Sequence, residues 1–306
     1  MKYMTTKEAS VKWSLSDRRI RVLCTEGKIE GALKIGRNWS IPADAKKPVD
    51  GRTKIATKYL GLDFNFIEHT GFKKEIDTYR PFKKSQSKTI RDNLIVEWTY
   101  NSNAIEGNTL TMSETKVVLE GITIGGKSVV EHLEAINHRD AIVFIETLLD
   151  KNEVITEWNI KNIHQLILKD IDNLNAGKYR NENVLISGAK HIPPTHILVS
   201  DQMQKLVYEM QTGWSNYHPI VKATLLHGEF VKVHPFIDGN GRTARLLLNF
   251  ELMKNGYPPI VIKKENRLEY YDALDTAHTT YDYTKFIRLV SDLVLESERL
   301  WLHVLS

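Results

Sequence analysis

The sequence predicts a mainly α protein: a large helical bundle with a small β-hairpin flap, preceded by a small winged-helix domain. Three observations predict it. Over much of the chain beyond residue 129, apolar residues recur at three- and four-residue spacing, the period of a helix with one buried face. One stretch between these runs breaks the period with a β-branched run, a Ser-Gly turn and a double proline. The first 50 residues carry two short helical signals and a glycine-centred hairpin.

Composition bounds what such a protein can be. With 306 residues, 42% hydrophobic and 26% charged, the chain has room for one large core and a small extra domain. A net charge of +4 is too mild to imply a nucleic-acid partner by itself. Cys24 is the sole cysteine, which excludes an intramolecular disulfide framework and makes an intracellular setting the expectation. The N-terminus has no apolar h-region, so no signal peptide is read. No run approaches the roughly 18 apolar residues of a membrane span. A soluble cytoplasmic protein without a membrane partner is expected.

Taken in order, Thr5-Thr6-Lys7-Glu8 is a capping-box pattern that opens a first short helix. Residues 16–23 read as a second helix with a basic face, stopped by Gly27. Residues 33–41 read as a hairpin turning at Gly36 and closed by Pro42. This is a winged helix-turn-helix plan for residues 1–50, and the stretch resembles the small excisionase/MerR-like DNA-binding domains. In that plan Arg18, Arg19 and Arg21 meet phosphates or base edges, while Lys34 and Arg37 ride on the wing. The alternative is an exposed basic face on a protein-binding module.

Residues 46–52 read as a linker, and 51–88 as a linker or extra segment with mixed helical signals. The main domain is assigned to 89–306. Helices are expected over 129–149, 160–168, 199–214, 220–233, 243–254 and 285–305, with a hairpin flap within 183–199. No internal repeat stands out.

The chemistry concentrates in His234-Pro235-Phe236-Ile237-Asp238-Gly239-Asn240-Gly241-Arg242-Thr243-Ala244-Arg245. Pro235 stops the helix before it and leaves the His234 imidazole in a loop, where it can accept a hydroxyl proton as general base. Gly239, Asn240 and Gly241 allow successive backbone N–H groups to form one anion-binding concavity. A helix begins next, so its N-terminal dipole points at the same place. Arg242 and Arg245 share a face and can fork onto phosphate oxygens. Asp238 is a hard anion suited to Mg²⁺ bridging two phosphates, and Phe236 points into the core as an anchor.

This run matches the Fic-domain signature His-Pro-Phe-x-x-Gly-Asn-Gly-Arg-x-x-Arg without a departure, and the resemblance extends from about residue 90 to 306. It implies a Fic-type helical bundle and a protein adenylyltransferase that moves AMP from ATP to a Ser, Thr or Tyr hydroxyl of a target protein, or of itself. It further implies that His234 activates the hydroxyl and Asp238 holds Mg²⁺ on the α- and β-phosphates. Gly239, Asn240 and Gly241 bind phosphates, with Asn240 near the α-phosphorus. Arg242 and Arg245 hold the β- and γ-phosphates. Residues 177–180, 184–186 and 191–194 look like the family's target-docking flap. Ile186, Ser187, Gly188, Ala189 and Lys190 would pair with an extended target segment by β-augmentation. Tyr270 and Tyr271 look like the element lining the adenine pocket. Family members that transfer phosphate carry a bulkier basic residue at the Gly241 position, so this chain resembles the adenylyl-transferring kind.

A second signal is Ser102-Asn103-Ala104-Ile105-Glu106-Gly107. Ser102 and Glu106 are one turn apart, and Gly107 is a natural helix stop. A carboxylate in a last helical turn opposes the dipole and calls for a cation from another element. The pattern resembles the Fic inhibitory motif, whose glutamate pairs with the second arginine of the signature, here Arg245. The same glutamate could instead orient a water that removes AMP from a modified target. A DNA-binding regulator with a ligand-sensing Fic body is the alternative from another class.

The eleven histidines show no metal-ligand spacing, and His227 reads as a core residue. The expected partners are a protein with an accessible hydroxyl, DNA through residues 1–50, and a second copy of the chain, since paired half-sites and family habit both suggest a dimer.

Overall fold

A computed structural model describes residues 3–13, 16–25, 27–36, 38–45 and 59–306. Contacts divide the chain into two compact units, Met1–Lys58 and Tyr59–Ser306. Arg37 and the 46–52 stretch read as a linker lie outside the described residues, as does the side chain of Arg19.

Among its described residues, the first unit has two helices, α1 (Thr6–Trp13) and α2 (Asp17–Thr25), and three strands, β1 (Tyr3–Thr5), β2 (Leu33–Ile35) and β3 (Asn38–Pro42). The capping box forms as read: the Thr5 N–H donates to the Glu8 carboxylate at 2.7 Å, and the Glu8 N–H donates back to Thr5 Oγ1 at 3.2 Å. β3 is central and antiparallel to both neighbours, with Met4 opposite Ile41 and Lys34 opposite Trp39. β1 escaped the sequence reading because three residues are too few to show alternation. Ile20, Leu23 and Cys24 put one face of α2 into a core with Met4, Trp13 and Ile41. Arg18 and Lys34 are exposed, and Arg21 pairs with Asp17 at 2.9 Å.

The second unit is helical. Its first two helices are α3 (Ile67–Thr78) and α4 (Lys84–Ile105). α5 (Met112–Leu119), α6 (Val129–Asp150) and α7 (Glu157–Ile167) each start on a capping box, at Thr111, Ser128 and Thr156. The Thr156 box explains why α7 begins three residues ahead of its apolar run. α8 (His196–Tyr208) runs into a π turn over Glu209–Gly213, so the single helix read there changes winding before Trp214. α9 (Pro219–Val233) and α10 (Asn240–Lys254) form the central pair. Nearly every residue of α10 is buried, as a helix surrounded by others requires. It packs against α9, α6, α7 and α4. α11 (Arg267–Thr280) and α12 (Thr284–Leu305) complete the unit, and α3 lies on α12. No described helix is long and apolar enough to cross a membrane.

The hairpin expected within 183–199 is corrected. Residues 181–195 contain a turn at Ser187-Gly188 but no strand. Their polar groups are bonded elsewhere. Asp275 of α11 accepts the Lys190 and His191 N–H groups at 2.8 and 3.1 Å. Pro193 and Pro194 have no N–H to offer. The segment is therefore an extended loop whose arms share only the turn bond from Ala189 N–H to the Ile186 carbonyl at 3.2 Å and form no ladder.

Glu298 on α12 is fully buried, and neither carboxylate oxygen has a hydrogen-bond partner. Burial, then Glu68, pushes its pKa up to about 8. In the unfolded chain this group ionises freely above pH 4.5, so it subtracts stability progressively between 4.5 and 8. Glu298→Met is expected to raise Tm at pH 8 by several degrees, roughly 2–4 kcal/mol, and to change it little at pH 5. Equal shifts at both pH values, by differential scanning calorimetry, would contradict a pH-linked cost.

Candidate active site

α9 ends at His234, which adopts the left-handed conformation with φ 50° and ψ 60° and whose N–H closes on the Phe230 carbonyl at 3.0 Å. The helix stops where Pro235 requires, although through a left-handed turn rather than the extended one usual before proline. Phe236 then turns fully into the core, as read. The Asn240 carboxamide brackets it: Oδ1 accepts the Phe236 N–H at 3.0 Å and Nδ2 donates to the Phe236 carbonyl at 2.9 Å. Both ends of the Asn240 side chain are thereby used to hold the loop.

α10 begins at Asn240, three residues ahead of the expected start, behind Gly239 at φ 74°. Its first intrahelical bond is Thr243 N–H to Gly239 O at 3.0 Å. The N–H groups of Asn240, Gly241 and Arg242 belong to the open first turn of a helix, which favours an anion.

Arg242 and Arg245 are buried to 2% and 3% exposure, not solvated. Arg242 donates to Glu134 Oε1 on α6 at 2.8 Å and to Asp238 Oδ2 at 3.0 Å. Arg245 donates to Ser102 Oγ at 3.0 Å, to the Ser102 carbonyl at 2.8 Å and to Glu106 Oε1 at 2.7 Å. Glu106 is the C-terminal cap of α4, with Gly107 beyond it at φ 104°. Burial disfavours the Arg245 cation, but Glu106 and Tyr270 together outweigh it and its pKa is raised.

The carboxylate also covers the helix start. A Cβ on Gly241 would lie 2.3 Å from Glu106 Oε1 and 3.0 Å from Arg245 Nη1. Nη1 itself is buried without a hydrogen-bond partner. Glu106 thus sits where an anion at the α10 N-terminus would.

Residues 154–252 match the family model described as Fic/DOC. A protein adenylyltransferase Fic of Aedes aegypti is 34% identical over 238 residues, which is 75% of this chain and 45% of that protein. A Fic domain containing signaling protein from Bacteroides thetaiotaomicron has the same fold at TM-score 0.71 and 30% identity, covering 77% of this chain and 96% of that one. A fragment of C. elegans Fic-1 gives TM-score 0.69 and 31% identity over 76% of this chain and 69% of that one. The chain belongs to the Fic/DOC family. It spans less than half the length of the first curated relatives it matches.

Within this Fic domain, the two tyrosines read as adenine-lining differ in access. Tyr270 is 1% exposed with its hydroxyl 2.9 Å from His227 Nε2, whereas Tyr271 keeps an exposed ring with the Arg267 guanidinium 5.3 Å from its centre. His227 is the fully buried core residue it was read to be. In the flap loop, Ser187, Gly188 and Lys190 are exposed, and Ile186 and Ala189 are half-buried.

No three His, Cys, Asp or Glu side chains among the described residues gather as a metal cage. Asp238 offers a 65% exposed carboxylate beside the open helix turn. One hard carboxylate next to a phosphate site is the donor set that suits Mg²⁺, whose other ligands are then phosphate and water. The residues fit that ion arriving with a nucleotide.

Two residues the sequence reading missed hold the site. His164 on α7 stacks on Phe236 with ring centres 3.6 Å apart. Its Nδ1 accepts the Gly177 N–H at 2.9 Å, so Nε2 carries the proton and donates to the Asp238 carbonyl at 2.8 Å. Burial, more than any neighbour, holds its pKa at about 4, so the ring is neutral. A histidine inside the apolar run 160–168 was the available signal. Glu134, which fixes Arg242, gave none.

The contact at Gly241 makes a test. Gly241→Ala is expected to evict the Glu106 carboxylate and cost about 1–3 kcal/mol, a Tm drop of several degrees. In a Glu106→Gly background the same substitution should cost much less, because only the 3.0 Å approach to Arg245 Nη1 remains. Additive losses in that double-mutant cycle would mean that the methyl group is accommodated without touching Glu106.

Proposed function

We propose that the protein is an autoinhibited, Mg²⁺-dependent protein adenylyltransferase, transferring AMP from ATP to a Ser, Thr or Tyr hydroxyl of a target protein. The observation that carries this reading is the buried Arg245 at an open helix N-terminus, its anion place taken by Glu106. The activity named for the relatives supports it.

In the working site, the first-turn N–H groups of α10 and the guanidinium groups of Arg242 and Arg245 bind the phosphates. This fixes the α-phosphorus for in-line attack, and such chemistry depends mainly on positioning and charge stabilisation. His234 takes the hydroxyl proton as the new O–P bond forms, and the bond to the β-phosphate breaks to release pyrophosphate. The imidazole is ready for this, because burial, aided by the Arg180 charge, holds its pKa near 4. Mg²⁺ held by Asp238 would neutralise charge on the α- and β-phosphates.

Glu106 is the brake. It competes with the terminal phosphate for Arg245, and a latch worth about 2–3 kcal/mol leaves roughly 1–3% of molecules competent. Labelled ATP and Mg²⁺ should therefore load Glu106→Gly with AMP about 30–100 times faster than the parent, and His234→Ala should be inert. Equal incorporation by Glu106→Gly and parent would remove the brake. Faster AMP release from a modified protein by the parent than by Glu106→Gly would assign Glu106 to removal instead.

We infer that residues 1–50 bind duplex DNA, because Arg18 and Lys34 are exposed on α2 and β2 of a two-helix, three-strand unit. Full-length protein should shift duplex DNA in a gel at low salt. Arg18→Ala with Lys34→Ala should weaken that shift and flatten its salt dependence. No shift at 50 mM salt would end this assignment.

A further inference from the structure

Arg180 lies between α7 and the flap loop and is 4% exposed. Its guanidinium reaches three backbone carbonyls. Nε donates to His234 O at 2.8 Å, Nη1 to Glu182 O at 2.9 Å, and Nη2 to Pro194 O. Its own N–H donates to Pro235 O at 2.9 Å. Among the described residues no carboxylate forms a salt bridge with it.

A buried cation held only by neutral acceptors is an expensive way to fill space. Burial accordingly draws its pKa down. What the guanidinium supplies in return is a rigid planar fork that fixes several acceptors relative to one another. The acceptors identify what is being fixed. His234 carries the base. Glu182 and Pro194 are where the flap loop departs and returns. At its far end, the flap is tied by Asp275 through the N–H groups of Lys190 and His191. Between these anchors the flap backbone has no strand partner, and Leu185 and Ile192 are 80% and 71% exposed.

We propose that Arg180 is a positioning residue that registers the target-docking flap against His234, with Asp275 holding the other end of the same loop. A target segment laid along the flap then presents its hydroxyl to the imidazole. This rests on the adenylyltransferase reading and adds the parts that convert docking into alignment. Arg180 makes none of the contacts to Arg242 or Arg245, so nucleotide binding is expected to survive its replacement. Misplacement by about 1 Å is enough to cost on the order of 10²-fold in rate.

The test uses the full chain carrying Glu106→Gly, with Arg180→Lys or Asp275→Ala added. Three quantities are read: Mg-ATP affinity by calorimetry, labelled AMP incorporated into protein, and AMP released by water, which needs the nucleotide site but no flap. Lysine keeps the charge but replaces the planar fork with a single ammonium, which cannot reproduce its geometry to three carbonyls. The expected result for both variants is ATP affinity within about twofold of the parent, at least 30-fold less incorporation, and release to water within about threefold. If incorporation and release to water fall together, Arg180 merely supports the catalytic loop and the proposal is overturned. Unchanged incorporation overturns it as well. Asp275 is only half-buried, so its variant answers the question even where Arg180→Lys does not fold. Failure of the underlying reading looks different: the Glu106→Gly protein itself would bind ATP and load nothing.

Discussion

A guanidinium at 3% exposure whose Nη1 has no hydrogen-bond partner calls for an anion beside it, and that need on Arg245 governs the site. Ser102 contributes two neutral acceptors and Glu106 the opposite charge. Glu106 stands at the end of one helix and over the start of another. At the end of α4 its charge opposes the dipole, whereas over Gly241 it meets the favourable end of α10. Each effect is worth a few tenths to about 1 kcal/mol, so they nearly cancel. What remains to hold the carboxylate is the buried arginine, and any anion that satisfies it and the α10 N–H groups can replace Glu106. A nucleotide's terminal phosphate carries more charge and more acceptors than one carboxylate. On the proposed reading, competition between carboxylate and phosphate follows from the charge balance of the site.

The parts legible in the sequence are those whose causes are local. Pro235 halting α9, Gly107 ending α4 and the capping box at Thr5 each act within a few residues, and the structure carries all three. Phe236 was legible as an anchor because it is the one Phe, Tyr or Trp in the run from His234 to Arg245. The missing parts are long-range. His164 is 74 positions from Asp238, and Glu134 is 108 from Arg242. Nothing in the surroundings of either residue announces its partner. Arg180 lay within a motif read for its resemblance, but its carbonyl partners emerge only when the flap is folded back on α9.

The flap error has the same origin. A Val-Leu-Ile run before a Ser-Gly turn is a hairpin by local rules. What overrides them is a carboxylate on α11 that claims two N–H groups of one arm, together with two prolines that supply none. The result is an extended segment whose own arms do not satisfy it. Its anchors are Arg180 and Asp275 at either end rather than a cross-strand ladder, which leaves a backbone edge available to an incoming strand.

Gly241 joins the two halves of the proposed control. The absent side chain lets the helix N-terminus approach an anion closely, and that space is filled by Glu106. A larger residue would meet the Glu106 carboxylate and, on the proposed reading, obstruct phosphate in the same place beside Arg245. Affinity for nucleotide and strength of inhibition are therefore hard to adjust at this position separately. They can be adjusted through the elements that carry Glu106. Asn103 and Asn108, either side of it, donate to the backbone carbonyls of Glu134 and Glu131 on α6, and Asn108 also donates to the Glu134 carboxylate. That carboxylate in turn holds Arg242. The turn bearing the latch and the first arginine thus share one support, so a displacement of α4 that withdraws Glu106 also loosens the partner of Arg242. On the proposed reading, release of one arginine and re-aiming of the other follow from a single movement, as exchange of a carboxylate for a triphosphate would require.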